Sequence, residues 1–419
     1  MQRFVGLIGI VVILLIAYGL STNRKKINFR TIGMALFLQI LFALFIFKVP
    51  LGQFIFLKIG AFIEKLMDFA IAGGNVVFGG LLSNSFTTDY CSGSRIFAIQ
   101  LICSMILMIV LVNILYYYGI MQKIVAILGK LMNKLMKISG AESLCAVANS
   151  FVGNVTAQIM IKPYLKDLTR SELLTSMAGS LACVSGAMMP VYIKMGIPAV
   201  YILASSVMAA PGAVAIAKIM YPEDGKPKTS DDAKVEIENT HVNIIDSIAA
   251  GAGDGMKVAI SITAMIIALV ALVAMIDWFL GGIGSFLYYH LHLGLNWLPE
   301  LSLKFILGKI FAVFALIMGV PLQDITNVGS LIGEKIVLNE VVAYLDLVSV
   351  KQIITDKAFL ISSFALCSFG NIGSIAIQIG GIGELAPEQR NNIAELGIKA
   401  LIAGTLTCFM SATIVGILF

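Results

Sequence analysis

Six stretches of this sequence are apolar for long enough, or nearly long enough, to cross a bilayer: residues 4–20, 32–47, 96–117, 199–220, 258–280 and 396–419. About 30 Å of hydrocarbon takes roughly 20 such residues in a helix. No other feature of the chain restricts its fold as severely. Of its 419 residues, 59% are hydrophobic and only 13% charged, about half the charge a soluble domain uses to cover its surface. Lipid is therefore the outer solvent. The first stretch has no A-x-A cleavage pattern, and its basic cluster follows rather than precedes it, so it reads as a retained first helix.

The net charge of +5 is spread over short connecting segments and not gathered on one face, which speaks against nucleic acid as a partner. Its distribution predicts an orientation. Arg24, Lys25, Lys26 and Arg30 follow the first apolar stretch, and Lys123, Lys130, Lys134 and Lys137 follow residues 96–117. Both loops are expected in the cytoplasm, with the N-terminus outside. The six cysteines form no CxxC pair, and three histidines make no ligand cluster; buried apolar filler is the reading for the cysteines. Neither a nucleophile–base arrangement nor a phosphate-cradling loop is present. The sequence predicts no enzyme, no metal site and no cofactor.

Residues 221–240 are rich in Pro, Gly, Asp and Lys and read as a cytoplasmic linker. Four parts follow: residues 1–94 with N-terminal helices and an interfacial segment, a first repeat over 95–220, a linker over 221–243, and a second repeat over 244–419. The repeats show the same features in the same order. Each opens with a long apolar helix and continues with an amphipathic segment carrying Ile-Leu-Gly-Lys, at Ile127–Lys130 and Ile306–Lys309. Each then has a segment too polar to cross lipid in the open, around Asn149–Thr156 and Lys335–Glu340. A helix broken in its middle follows, at Cys183-Val184-Ser185-Gly186 and at Ser368–Ser374. The charges flanking the first polar segment bring it in from the cytoplasm. The helix count brings the second in from outside, so the repeats are expected to be inverted. The fold class is all-α and polytopic, with about eight transmembrane helices, two re-entrant hairpins and interfacial helices.

Paired interrupted segments in two halves of a membrane protein point to a binding site. Irregular backbone at membrane depth leaves N–H and C=O groups that only protein or a polar cavity can satisfy. Glu340 is the sharpest candidate, because an intramembrane carboxylate is costly and can accept two O–H hydrogen bonds from vicinal hydroxyls. It also suits a proton or a sodium ion. The bland alternative is a structural carboxylate paired with Lys335 or a backbone donor. Asn371 and Ser374 share a face at i, i+3 spacing, with a Gly/Ser packing seam as the alternative. Asn149, Gly153, Asn154 and Thr156 form an opposing polar patch, unless they are a solvated loop tip. Lys335 and Lys162 read as flank anchors.

These residues resemble the concentrative nucleoside transporters. The likeness runs over nearly the whole chain and is densest in Asn243–Asp246 through Asp254-Gly255, Gly319-Val320-Pro321, Gly329–Gly333, Leu338-Asn339-Glu340-Val341-Val342-Ala343-Tyr344-Leu345, Phe369-Gly370-Asn371-Ile372-Gly373-Ser374, and Leu396–Ala400 through Ala403–Leu406. The resemblance implies a homotrimer in the bacterial inner membrane, each protomer with its own pathway and an elevator-type transport domain. The two long helices starting near Ile96 and Asp246 would be the fixed scaffold. It implies that Glu340, Asn371 and Ser374 hold ribose and that Phe369 lies beside the nucleoside. Gly153, Asn154, Val155 and Thr156 would contact the base, together with Met188. Asn149, Val152, Cys183 and Val184 would hold a coupling cation, sodium or proton being the choices.

Two positions depart from the family. Its first tip usually reads Gly-Gln-Thr/Ser-Glu, where this chain has Gly153-Asn154-Val155-Thr156. A serine of the cation site is Cys183, and thiol sulfur is a poor ligand for a hard cation. Two other uses of the pocket remain open: an elevator carrier for another small polar solute such as an amino acid, and a gate-type membrane protein that binds a nucleoside without transporting it.

Overall fold

The computed structural model describes residues 2–82, 96–229, 242–290 and 301–419. Within them all regular structure is helical. Three helices come first: α1 (Gln2–Gly19), α2 (Phe29–Lys48) and α3 (Pro50–Phe78). The stretch read as interfacial is thus largely one 29-residue helix, started by Pro50 at its first turn, where a missing N–H costs nothing.

Apart from a four-residue helix, Lys162–Leu165, that follows the first tip, two series of seven helices follow in matching order among the described residues. The first is α4 (Phe97–Tyr117), α5 (Ile120–Met136), α6 (Gly140–Asn149), α7 (Asn154–Ile159), α8 (Arg170–Ala182), α9 (Met189–Met195) and α10 (Ala199–Met220). The second is α11 (Ile244–His290), α12 (Leu303–Ile317), α13 (Ile325–Val337), α14 (Glu340–Ser349), α15 (Asp356–Leu366), α16 (Ile372–Leu385) and α17 (Arg390–Leu418). In each series a long helix leads to an amphipathic one, then to a pair of short helices meeting at a tip, then to two half-helices flanking a break. The shared tetrapeptide lies in α5 and in α12. The breaks fall where glycine, serine and proline interrupt the apolar pattern: residues 183–188 between α8 and α9, and 367–371 between α15 and α16.

Among the described residues, five helices are long and apolar enough to cross a membrane: Phe29–Lys48, Phe97–Tyr117, Ala199–Met220, Ile244–Tyr289 and Pro387–Leu418. α1 and α16 are apolar over shorter lengths. α10 and α17 are buried along most of their length, and α17 packs against α1, α8, α10, α15 and α16. This makes α17 the central post. α11 is the opposite case, 47 residues with little of its apolar surface covered; at 1.5 Å per residue it is about 70 Å long. It packs along α4. The two can approach because a Cβ added at Gly255 would lie 2.6 Å from the Cα of Ile106, and one at Gly251 2.9 Å from that of Val110; small residues make such seams in lipid.

The helix starts are well specified. α6 and α8 each begin with a complete capping box, Ser139 with Glu142 and Thr169 with Glu172, which satisfies orphan N–H groups at both ends of the box. The beginning of the linker is not a free loop. The Thr229 carbonyl accepts the Gly140 N–H at 2.7 Å, and its Oγ1 accepts the Ala141 N–H at 3.3 Å. Lys218, at the end of α10, pairs with Glu142 at 2.5 Å and Glu223 at 3.2 Å. Residues 230–241, and Cys91 with residues 83–95, lie outside the described residues.

Candidate functional site

The two tips and the two breaks converge: backbone hydrogen bonds join the first tip to the first break and the two breaks to each other, and side-chain bonds of Glu340 tie in the second tip. At the first tip the chain turns between α6 and α7 through Gly153, whose φ of +95° favours glycine. A Cβ there would also sit 2.7 Å from the Cβ of Ser185 in the first break. The Phe151 carbonyl accepts the Gly186 N–H at 3.0 Å, and a Cβ on Gly186 would approach that oxygen to 2.4 Å. Glycine at both places therefore lets tip and break touch. The first break meets the second through the Cys183 carbonyl, which accepts the Phe369 N–H at 3.2 Å.

The second tip lies between α13 and α14, and Glu340 is the first residue of α14. Its carboxylate is buried at 4% exposure. Oε2 accepts from Asn371 Nδ2 at 3.3 Å and Oε1 from the Tyr192 hydroxyl at 3.0 Å. Asn371 caps α16, its Oδ1 accepting the Ser374 N–H at 2.8 Å and the Ser374 hydroxyl at 3.0 Å. Asn371 and Ser374 thus work as cap and third helical residue, not as two points on a continuous helix face. Glu340 makes no ion pair with Lys335; its side-chain partners are Tyr192 and Asn371. Lys335 is no flank anchor either. It is fully buried, and its Nζ donates to the Ala365 carbonyl at 3.1 Å, at the C-terminal end of α15, where helix partial charge favours a cation.

A cavity of about 940 Å³ opens between these segments and the α4–α11 pair. Thr156, Met188, Glu340, Phe369, Asn371 and Ser374 line one side. Asn113 and Tyr116 of α4 and Asp254 of α11 line the other. Asn154 and Val155 open α7, and their side chains lie outside the described residues.

Asn149, Cys183 and Val184 lie deeper, where α6 and α8 end, while Val152 also lines the cavity. Asn149 is fully buried. Its Oδ1 accepts the Ser180 hydroxyl at 2.8 Å, and its Nδ2 donates to the Ser176 carbonyl at 3.4 Å and to Cys145 Sγ at 3.5 Å. It belongs to a closed polar network and not to the cavity-facing patch expected of it. The Val152 carbonyl accepts the Ser185 hydroxyl at 3.4 Å. Cys183 Sγ is 3.9 Å from the Ser150 hydroxyl and packs with Ala209, Ala213 and Cys408. Its backbone carbonyl, not its sulfur, faces the second break. Two helix C-termini meet here, and their partial negative charge suits a cation.

Tyr192, Gln158 and Asn339 were not singled out by the sequence reading. Gln158 is fully buried and bonds Ser176 and Ser180 within the Asn149 network. Tyr192 stacks on Tyr344 with ring centroids 4.7 Å apart. Its signal was available: a tyrosine in an apolar half-helix needs a partner for its hydroxyl.

Residues 8–81 match the family model described as the Na+ dependent nucleoside transporter N-terminus, and residues 201–416 the corresponding C-terminus. Residues 98–199 match a model named Gate and described as nucleoside recognition. The chain is 38% identical to an uncharacterized transporter of Haemophilus influenzae, over 98% of this chain and 96% of that one. It is 37% identical to the nucleoside permease NupC of Helicobacter pylori, over the same shares of each. The solved structure of CNTnw in an inward-facing substrate-bound state superposes with a TM-score of 0.93, at 37% identity over 100% of this chain and 98% of that one.

Proposed function

Because the chain belongs to the Na+ dependent nucleoside transporter family, we propose that it is a cation-coupled symporter importing nucleosides by an elevator mechanism. It is a multi-pass inner-membrane transporter and not an enzyme. In this reading α1, α2, α4, α8–α9, α10, α11, α15–α16 and α17 make eight crossings. The α6–α7 and α13–α14 pairs are the re-entrant hairpins, entering from opposite sides, and α3, α5 and α12 lie at the interfaces. Three copies form a homotrimer in lipid. Each protomer carries its own pathway.

The observation that carries the reading is Glu340. A buried carboxylate is fixed on both oxygens, by Tyr192 of the half-helix α9 and by Asn371 of the second break, and it lines a cavity large enough for a nucleoside. A carboxylate flanked by Asn371 and Ser374 is complementary to the vicinal hydroxyls of ribose. Phe369 and Met188 give the nucleoside apolar contact, and the Gly153–Thr156 tip meets the base. The tip's shorter amide and missing carboxylate leave the choice of base to other cavity groups. Sodium is the coupling ion. It takes oxygens of Asn149, Val152, Cys183 and Val184, with the Cys183 carbonyl standing in for a hydroxyl, because the thiol is turned into the helix packing.

Coupling then has a physical basis. An unfilled site exposes polar groups that must not slide past the apolar faces of α4 and α11. Nucleoside and cation together satisfy them, and the hairpin domain moves across the fixed pair. The test is uptake of labelled uridine and adenosine into proteoliposomes under imposed sodium or proton gradients. Accumulation driven by sodium is expected. Binding without accumulation would make the protein a receptor; accumulation driven by protons alone would move the coupling to Glu340.

A further inference from the structure

Two asparagines start the helices that meet at the site. Asn339 caps α14 and Asn371 caps α16. Each turns its Oδ1 into its own helix, Asn339 accepting the Val342 N–H at 3.0 Å and Asn371 the Ser374 N–H at 2.8 Å. A backbone N–H only donates, so this bond fixes which amide atom faces the helix. The NH2 group of each side chain is left pointing away. Asn371 gives its NH2 to Glu340. Asn339 gives its NH2 to nothing: Nδ2 is buried without a partner, in a residue only 2% exposed.

Buried donors without acceptors are rare in native proteins, and each calls for a reason. Asn339 lines the main cavity directly beside Glu340. We propose that Asn339 is a substrate-binding residue whose Nδ2 donates a hydrogen bond to the oxygen of a sugar hydroxyl that itself donates one to Glu340. This rests on the nucleoside reading above and deepens it. A hydroxyl donates and accepts at once, so it satisfies carboxylate and amide together. A protonated amine would satisfy the carboxylate but offer no lone pair to Asn339. The pair therefore selects alcohols over ammonium groups at this point, which favours sugars over amino acids.

The test uses Asn339→Ser in the full-length protein in proteoliposomes. Serine caps a helix as well as asparagine does, but it lacks the second arm. The probes are uridine and adenosine with their 2′-deoxy and 3′-deoxy forms. For whichever ribonucleoside the wild type carries, the variant is expected to raise KM about five- to tenfold, the worth of one neutral hydrogen bond. For the deoxy analogue lacking the contacted hydroxyl, variant and wild type should differ by less than about twofold, since the interaction is already gone. An unchanged KM overturns the proposal, as does an equal rise for every analogue, which a purely structural role would give. Asn339→Asp, which keeps the cap and the shape, supplies a second readout: it should lose more than the serine variant, because it sets a like charge beside Glu340. Wild-type uptake with an unaffected variant sinks this inference alone; no uptake of any nucleoside by the wild type sinks the underlying reading as well.

Discussion

The two halves of the site are built with opposite polarity. The half from the second repeat is made of helix beginnings: Glu340 opens α14, and Asn371 caps α16. The part of the first repeat around Asn149 and Cys183 offers helix ends, since α6 stops at Asn149 and α8 stops before Cys183, while the starts of α7 and α9 face the cavity. Helix beginnings carry partial positive charge and helix ends partial negative charge. The first setting suits the acceptor oxygens of Glu340; the second suits a cation. Their hydrogen bonding differs too. Around Asn149 the polar side chains bond one another in a closed set, whereas around Glu340 an amide donor is left over. The lesson is that a tip and a break can serve as an anion-friendly or a cation-friendly unit according to which helix ends they expose.

The largest expected effect is at Glu340. Glu340→Gln replaces a charged acceptor with a neutral amide and should cut ribonucleoside uptake at least about 100-fold, from the loss of two charge-assisted hydrogen bonds. The measurement is initial uptake rate at fixed sodium gradient, with protein level and thermal stability unchanged. Near-normal uptake would remove the sugar from this half. Asn149→Ala should act on the other half. It is expected to raise the sodium concentration for half-maximal uptake about tenfold, with a much smaller change in nucleoside KM at saturating sodium. If instead the nucleoside KM rose at saturating sodium, the division of labour would be wrong.

Tyr192→Phe sharpens the comparison, because Tyr192 belongs to the first repeat but serves the second. It should raise KM about tenfold through loss of a hydrogen bond to a charged group, with sodium dependence unmoved. The smallest effect is expected for Cys183→Ser. The sulfur packs with Ala209, Ala213 and Cys408, so sodium dependence should stay within about twofold of the wild type. A large gain in sodium affinity would show that the side chain, not the carbonyl, faces the ion.

Much of this was legible in the sequence, and the parts that were not share a cause. Glu340, Asn371 and Ser374 stand out because polar groups in apolar runs are expensive in lipid, and the breaks stand out because glycine and proline interrupt helices. The structure brings these residues to one cavity, as that reasoning expects. Tyr192 escaped because its partner Glu340 is 148 residues away, and no local pattern carries such a pairing. Lys335 reads from the sequence as a flank anchor because a lysine at the edge of an apolar run normally reaches for water; here α15 ends beside it and supplies a carbonyl instead. Asn149 is legible as a polar residue of the first tip but not as buried, since its network depends on Ser176 and Ser180 of another helix. Asn339 was hidden by its neighbour: only the turn between α13 and α14 shows that it caps one helix and leaves a donor over.

The most direct test is an experimental structure of the protein with uridine or adenosine and sodium bound. The account predicts the sugar hydroxyls against Glu340 and Asn371, the base toward Thr156, and the ion at the ends of α6 and α8. A nucleoside lying with its sugar toward α6, or a sodium ion on Glu340, would contradict it.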